Sequence, residues 1–468
     1  MRHVRAAPFV RGSITRHLLV MTLMGAIGLM ALFAVDFIDL WFVSLLKSVH
    51  ATAALGFAGT LGFMHLSLQL GLGITAGALV SIHAGRGQPE AARGFVASAL
   101  KLAMGIGLAA TALTWALAGP LLSALGAEGQ TLELARDFLR ILALGFPLLA
   151  GTLIFSFALR GFGQPMLAML TTLTTAIVNA ALDPVFIFGL GFGLKGAAMA
   201  TVCANFAAFS IGALGLLRHL KRLFGREGLS ARECLFVSRD FRADLKQIAR
   251  MGIPITLTQL ATPVLAAYLM FAAARFGPAV VAAMTVINRL APLAFGIVFS
   301  LSGAVGPIIG QNYGAGQAGR VRRAFLAGLA FAFGYTLFMW LALMALADHI
   351  VAAFALSGQT AELVRLFCNV LAAAWMFTGG QFVAQAAFNN LEHPRLSMMF
   401  NWARATVGTM LPVEVLSLYY GPEGVFIGAG IGSALVGLAA ILIAHRLIAR
   451  LPAQGSAAQG SASASSSA

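Results

Sequence analysis

The stretch LLVMTLMGAIGLMALFAVDFIDLWFV, residues 18–43, decides the fold. Its first part, Leu18 to Val35, carries no charge, and about 20 helical residues cross a hydrocarbon core about 30 Å thick. Comparable apolar runs recur at Leu142 to Phe157, Ala197 to Leu217 and Val425 to Ala444. They are continuous and lack the period-two alternation of barrel strands, so they predict helices. Across the chain 59% of residues are apolar and 10% charged. A soluble domain carries about a quarter charged residues. The sequence therefore predicts an all-α polytopic membrane protein.

Working outward, the spans fall at 17–46, 51–82, 94–121, 133–158, 165–190, 196–217, 248–274, 279–309, 324–346, 362–388, 395–418 and 424–447. That is twelve transmembrane helices, six on each side of a central loop. The halves repeat. Gly85, Gly87, Gln88 and Arg93 match Gly314, Gly316, Gln317 and Arg322 at a constant separation of 229, and Pro165 matches Pro394 at the same separation. These polar, Gly and Pro matches lie in loops, where apolar composition does not force them. An even number of spans per repeat makes the halves parallel, an arrangement in which the substrate site usually lies between them. The expected organisation is a tail at 1–16, a six-helix bundle at 17–217, a basic linker at 218–247, a second bundle at 248–447 and a disordered Ser/Ala/Gly tail at 448–468.

The formal net charge is +15, which could suit a nucleic acid. Most of the 31 Lys and Arg instead cluster in the N-terminal tail, alternate loops and the C-terminal end. That is the pattern of the positive-inside rule, which places both termini in the cytoplasm of a bacterial inner membrane. The richest segment holds Arg218, Lys221, Arg222, Arg226, Arg232, Arg239, Arg242, Lys246 and Arg250. The basic start, Arg2 to Arg16, resembles a signal n-region, but the run after it is too long and has no clean small-residue cleavage site, so a retained first span is expected. Cys203, Cys234 and Cys368 are scattered and suggest neither disulfides nor a metal site.

Ionisable side chains inside a span are costly and are functional candidates by default. The candidates are Asp36, Asp39, Asp183, Arg289, Arg404 and Glu414. Asp36 and Asp39 lie three apart, and Asn179 and Asp183 four apart, so each pair projects from one helix face. If the first and fifth spans face each other, three carboxyls and an amide share a cavity. Like charges there oppose a second ionisation, a property suited to proton coupling. The same oxygens suit Na⁺ as an alternative ion.

These acids sit in surroundings that resemble the MATE (multidrug and toxic compound extrusion) family over nearly the whole chain. The matching stretches are Asp39-Leu-Trp-Phe-Val, Ala54-Leu-Gly-Phe, Leu159-Arg-Gly-Phe-Gly-Gln-Pro165 and Asn179-Ala-Ala-Leu-Asp183-Pro184-Val-Phe-Ile-Phe-Gly189. Further matches are Gly196-Ala-Ala-Met-Ala-Thr201, Ile287-Asn-Arg289 and Gly306-Pro-Ile-Ile-Gly-Gln311-Asn312-Tyr-Gly314-Ala. The resemblance implies two six-helix bundles forming a V, and export of organic, often cationic, compounds against inward H⁺ or Na⁺.

In the DinF-like branch the resemblance places coupling at Asp39, Asn179, Asp183 and Thr201. Thr262 stands where the NorM-like branch has a glutamate, which favours the DinF-like reading. Two departures matter. Asp36 replaces a common asparagine, and Gly25 stands where the family has a helix-bending proline that the second half keeps as Pro254. Glu414, beside the repeat counterpart of Val185, is either a second proton site or a structural partner, and Arg289 reads as an anchor at a span end.

The expected function is a secondary antiporter, with no cofactor, no nucleic-acid partner and no enzymatic motif. The expected partners are small organic molecules and the bilayer, and the expected state is a monomer. The alternatives are a lipid-linked precursor flippase, disfavoured by the few basic residues within spans, and an uncoupled channel or sensor.

Overall fold

The computed structural model describes residues 7–225 and 230–452, except the side chain of Asp36. Among them every regular element is helical. They are α1 Ile14–Ser44, α2 Val49–Gly85, α3 Pro89–Ala124, α4 Gly129–Ala143, α5 Phe146–Gly161, α6 Pro165–Pro184, α7 Leu194–Phe224, α8 Ala231–Phe236, α9 Phe241–Ala274, α10 Pro278–Gly314, α11 Ala318–Ala353, α12 Gly358–Asn369, α13 Trp375–Asn390, α14 Pro394–Ala405 and α15 Met410–Ala449. Residues 1–6 of the expected N-terminal tail, Arg226 of the linker and the tail from 453 onward lie outside the described residues.

Two expected spans are broken. The fourth consists of α4 and α5, bent by 48°, and the tenth of α12 with the segment Leu371–Asn390, bent by 44°. Pro147 in the first turn of α5 has no N–H and crowds the carbonyl four residues back, at Ala143. That carbonyl accepts from Thr111 Oγ1 at 2.6 Å instead. Each break also faces a tryptophan, with Trp115 Nε1 donating to the carbonyl of Arg140 at 2.9 Å and Trp340 Nε1 to that of Asn369 at 3.0 Å.

The last two spans form one continuous apolar stretch, Pro394–Ala449, of 56 residues. At 1.5 Å per residue its helix would run about 84 Å, far beyond one membrane crossing. It turns back at Gly421, whose φ of 57° and ψ of −134° are non-helical. A Cβ on Gly424 would meet the backbone of Leu416, on Gly428 that of Val413, and on Gly432 the carbonyl of Gly408. The falling partner numbers define an antiparallel hairpin held by small residues that let backbones touch. With the two broken spans and this hairpin, the described helices make twelve crossings. Gly193, at φ 55° and ψ −133°, makes the same turn between α6 and α7.

The repeat is carried in the backbone. Positive φ recurs at Gly87 and Gly316, Gly126 and Ala355, Gly129 and Gly358, and Gly163 and Glu392. Each pair is 229 apart. Ala355 and Glu392 hold the strained conformation without glycine, at positions where the first half uses it.

The chain divides into two compact units. Unit one comprises Met24–Ala84 and Gln88–Gln259, and unit two comprises Ala7–Leu23, Gly85–Gly87 and the chain from Leu260. The divisions fall inside α1 and α9 rather than at the linker. The core of unit one is built on Leu79, Leu100, Ile154, Phe155, Leu159 and Phe162. In unit two, Phe9, Leu18 and Met21 pack with Phe325 and Phe388.

Candidate cation site

The site is built on three helices of unit one. Helices α1 and α6 run in parallel register, since Gly28 abuts Thr172, where a Cβ would lie 3.2 Å from the Thr172 Cβ. Eleven residues further along each helix stand Asp39 and Asp183. The α6–α7 turn brings Thr201 to Asn179, and Gly196 allows that approach because a Cβ there would lie 2.6 Å from the backbone of Phe186. Pro184 follows the second acid directly. It cannot donate to the carbonyl of Ala180, and a π turn, Val185–Gly189, takes over from the α-helix.

Asn179 is 2% and Asp183 0% exposed, while Asp39 and Thr201 are half-buried. Two orientations of the Asn179 amide fit the same positions. In one, Nδ2 donates to Asp39 Oδ1 at 2.9 Å and Oδ1 accepts from Thr201. In the other, Nδ2 donates to Thr201 Oγ1 at 3.2 Å. The first requires an acceptor on Asp39, so it suits the carboxylate. The second turns the amide oxygen toward Asp39, so it requires a proton there. Among the described residues no donor other than the neighbouring carboxyl of Asp39 reaches the oxygens of Asp183.

Asp36 lies on α1, but its side chain is outside the described residues. Gly25 sits in an unbroken helix, one residue past the division between the units. Pro254, inside α9, offers its carbonyl to Thr258 Oγ1 at 2.8 Å. Glu414 is held in unit two by both oxygens on Arg275, at 2.8 Å each, and by Tyr268 Oη at 2.9 Å. A single guanidinium nitrogen, Nη1, donates to both carboxylate oxygens, in a half-exposed ion pair. Arg289 falls eleven residues into α10, exposed and without an ion pair among the described residues, rather than anchoring its end. Gln311 and Asn312 grip the N-terminal segment, with Phe9 N–H donating to Gln311 Oε1 at 2.9 Å and Asn312 Nδ2 to the Phe9 carbonyl at 3.2 Å.

Sequence reasoning passed over one buried polar pair, His65 and Gln69, whereas it had singled out Arg404. In α2, Gln69 has neither amide end paired, and His65 Nε2 has no partner although its ring stacks on Phe146 at 3.9 Å. Two polar residues four apart inside an apolar run were the available signal. In α14, Arg404 is 8% exposed, donates to Asn401 Oδ1 at 3.3 Å and leaves Nε unpaired. No carboxylate pairs with it among the described residues.

The chain is 29% identical over 440 residues to an FAD transporter of Shewanella oneidensis, covering 93% of this chain and 95% of that protein. It is 23% identical to the multidrug export protein MepA of Staphylococcus aureus, covering 88% and 90%. A crystal structure of a MATE protein in complex with MaL6 superposes with a TM-score of 0.87 at 23% identity, covering 96% of this chain and 99% of that one. The MatE family model matches twice, at residues 26–185 and 254–413, once in each half. The chain is thus a multi-pass transporter, rather than an enzyme, and belongs to the MATE family.

Proposed function

We propose that this transporter is a cation-coupled antiporter of the DinF-like branch, which exports organic compounds as H⁺, or Na⁺ in its place, loads Asp39, Asn179 and Asp183. The observation that carries this reading is the buried cluster itself. Three helices bring two carboxyls, an amide and the Thr201 hydroxyl together, and among the described residues only the carboxyl of Asp39 stands within hydrogen-bonding reach of the Asp183 oxygens. A buried acceptor without a partner is costly, and a proton or cation between the acids removes that cost.

The amide supplies a relay. When Asp39 is ionised it accepts from Asn179 Nδ2. When it is protonated its O–H donates to Asn179 Oδ1, and the reversed amide donates to Thr201 on α7. Loading α1 thereby changes what α6 offers α7. Coupling follows if the access states bind the cation with different affinity, and substrate need not touch the acids.

In this reading each six-helix half is one bundle, the protein acts as a monomer in a bacterial inner membrane, and both termini are cytoplasmic. Organic compounds, often cationic, are the first substrate class; the staphylococcal relative is named a multidrug export protein. Flavin dinucleotide export is the second reading. The Shewanella relative's name and the buried Arg404, whose Nε has no partner and which meets no carboxylate among the described residues, favour it, since such a guanidinium suits an anionic substrate.

Proteoliposomes loaded with an organic dye cation or with FAD, under separate pH and Na⁺ gradients, test both readings. Gradient-driven export of one substrate by the wild type is expected, with loss in Asp39→Asn and Asp183→Asn. Undiminished export in both variants overturns the coupling site. Translocation of a lipid-linked precursor without export of either solute would favour a flippase.

A further inference from the structure

The chain opens a second polar site, away from the acids. A cavity of about 360 Å³ lies between residues 12–15 and the start of α11. Ser13, Thr15, Arg320 and Arg323 line it, and Ile14 and Ala327 give it an apolar wall. All belong to unit two.

The two guanidiniums are placed differently. Arg320 is fixed by neutral acceptors, with Nε on Asn312 Oδ1 at 2.8 Å, Nη2 on the Phe9 carbonyl at 2.8 Å and Nη1 on the Gly12 carbonyl at 3.1 Å. Arg323 makes one long bond among the described residues, Nε to the Gly319 carbonyl at 3.4 Å, which leaves its terminal nitrogens without a partner there. Neither arginine pairs with a carboxylate among the described residues. Segments 7–17 and 318–331 add Arg11, Arg16 and Arg322 and contain no Asp or Glu.

Helix α1 adds to the same field. It is 31 residues long and begins in the cavity wall at Ile14. Its first N–H groups have no intrahelical acceptor and carry the positive end of the dipole. Two uncompensated arginines, two hydroxyls and a helix start around one recess form a receptor for a tetrahedral oxyanion. Basic recesses where helices meet the cytoplasmic leaflet take phosphate head groups. The apolar wall, and the exposed Leu326 further along α11, would accommodate an acyl chain beside the head.

We infer that this cavity binds a phosphate group through Arg323 and Arg320, supplied by an anionic lipid head or by a soluble phosphate. The site is independent of the transported solute and of the coupling ion.

Full-length protein in an uncharged detergent tests it by thermal unfolding and native mass spectrometry. The probes are phosphatidylglycerol, phosphatidylcholine and sodium phosphate against chloride at equal ionic strength. The wild type is expected to prefer phosphatidylglycerol over phosphatidylcholine, or to be stabilised by phosphate over chloride. The first outcome assigns a lipid source and the second a soluble one.

Arg323→Gln should weaken that binding about tenfold and Arg323→Lys much less, because charge persists without the planar fork. Arg218→Gln, an exposed arginine of unit one, should change it less than about twofold. The inference is overturned if no probe is preferred. It is equally overturned if Arg323→Gln retains wild-type affinity, or if Arg218→Gln weakens binding as much, the signature of diffuse surface charge.

Discussion

The main-chain N–H of Phe9 donates to Oε1 of Gln311 across 302 residues of sequence. Asn312 and Arg320 close on the same residue through its carbonyl. Helix α1 therefore starts in unit two and carries Asp39 into unit one. A matching clasp holds the segment before α9, where Arg93 Nη1 donates to the carbonyls of Glu233 and Val237. Gln311→Ala removes one buried bond, worth about 1 kcal/mol net, and leaves the Phe9 N–H unpaired. Hydrogen exchange at residues 8–12 should accelerate, while exchange around Asn179 stays unchanged.

The amide relay makes a separable prediction. Asn179→Ala keeps both acids but removes the group that reads Asp39. Export should lose its dependence on pH more than its affinity for substrate, and transport rates measured from about pH 5.5 to 8 in proteoliposomes would show it. A wild-type pH profile in this variant would rule out the relay.

The final hairpin depends on glycine. Gly428→Leu places side-chain atoms on the Val413 backbone, where even a Cβ would lie 2.6 Å from its nitrogen. Overpacking of this kind costs about 3 kcal/mol. Gly430→Ala, whose Cβ would meet Leu371 at an ordinary 3.6 Å, should be tolerated. Thermal unfolding in detergent compares the two.

The break in the fourth span relies on a donor from α3. Thr111→Val keeps the side chain's shape but withdraws the Oγ1 that reaches the Ala143 carbonyl. Leaving that carbonyl without a donor should cost about 1 to 2 kcal/mol, read as a lower unfolding midpoint.

The short helix α8 should respond to acid. Ser230 donates to Glu233 from its main chain and side chain, which holds the Glu233 carboxyl below its usual range. A depressed carboxyl contributes stability above its unfolded value near 4.5, and the contribution is lost as pH falls through the lower folded value. Exchange rates at 231–236, corrected for intrinsic chemistry, should rise on acidification below about pH 4.5. In Glu233→Gln they should not vary with pH.

The spans were legible because a membrane demands long apolar helices whatever their neighbours, and the repeat because turn backbones keep their glycines. The carboxyls were legible because charge is costly in lipid, which singled out Asp39 and Asp183 before any contact was known. The break at Val370 was not legible, because no proline marks it, and neither were the partners of Glu414, since Tyr268 and Arg275 lie about 140 residues earlier. The sequence by itself determined a twelve-span, two-fold repeated helical chain with acids on the first and fifth spans. Only the tertiary structure decided that Asn179 bridges Asp39 to Thr201, that Phe9 is held by Gln311, and that Arg320 and Arg323 share a cavity. Hydropathy and helical periodicity act along the chain, whereas these relationships depend on the packing register between helices, set by contacts such as Gly28 on Thr172 and Gly196 on Phe186.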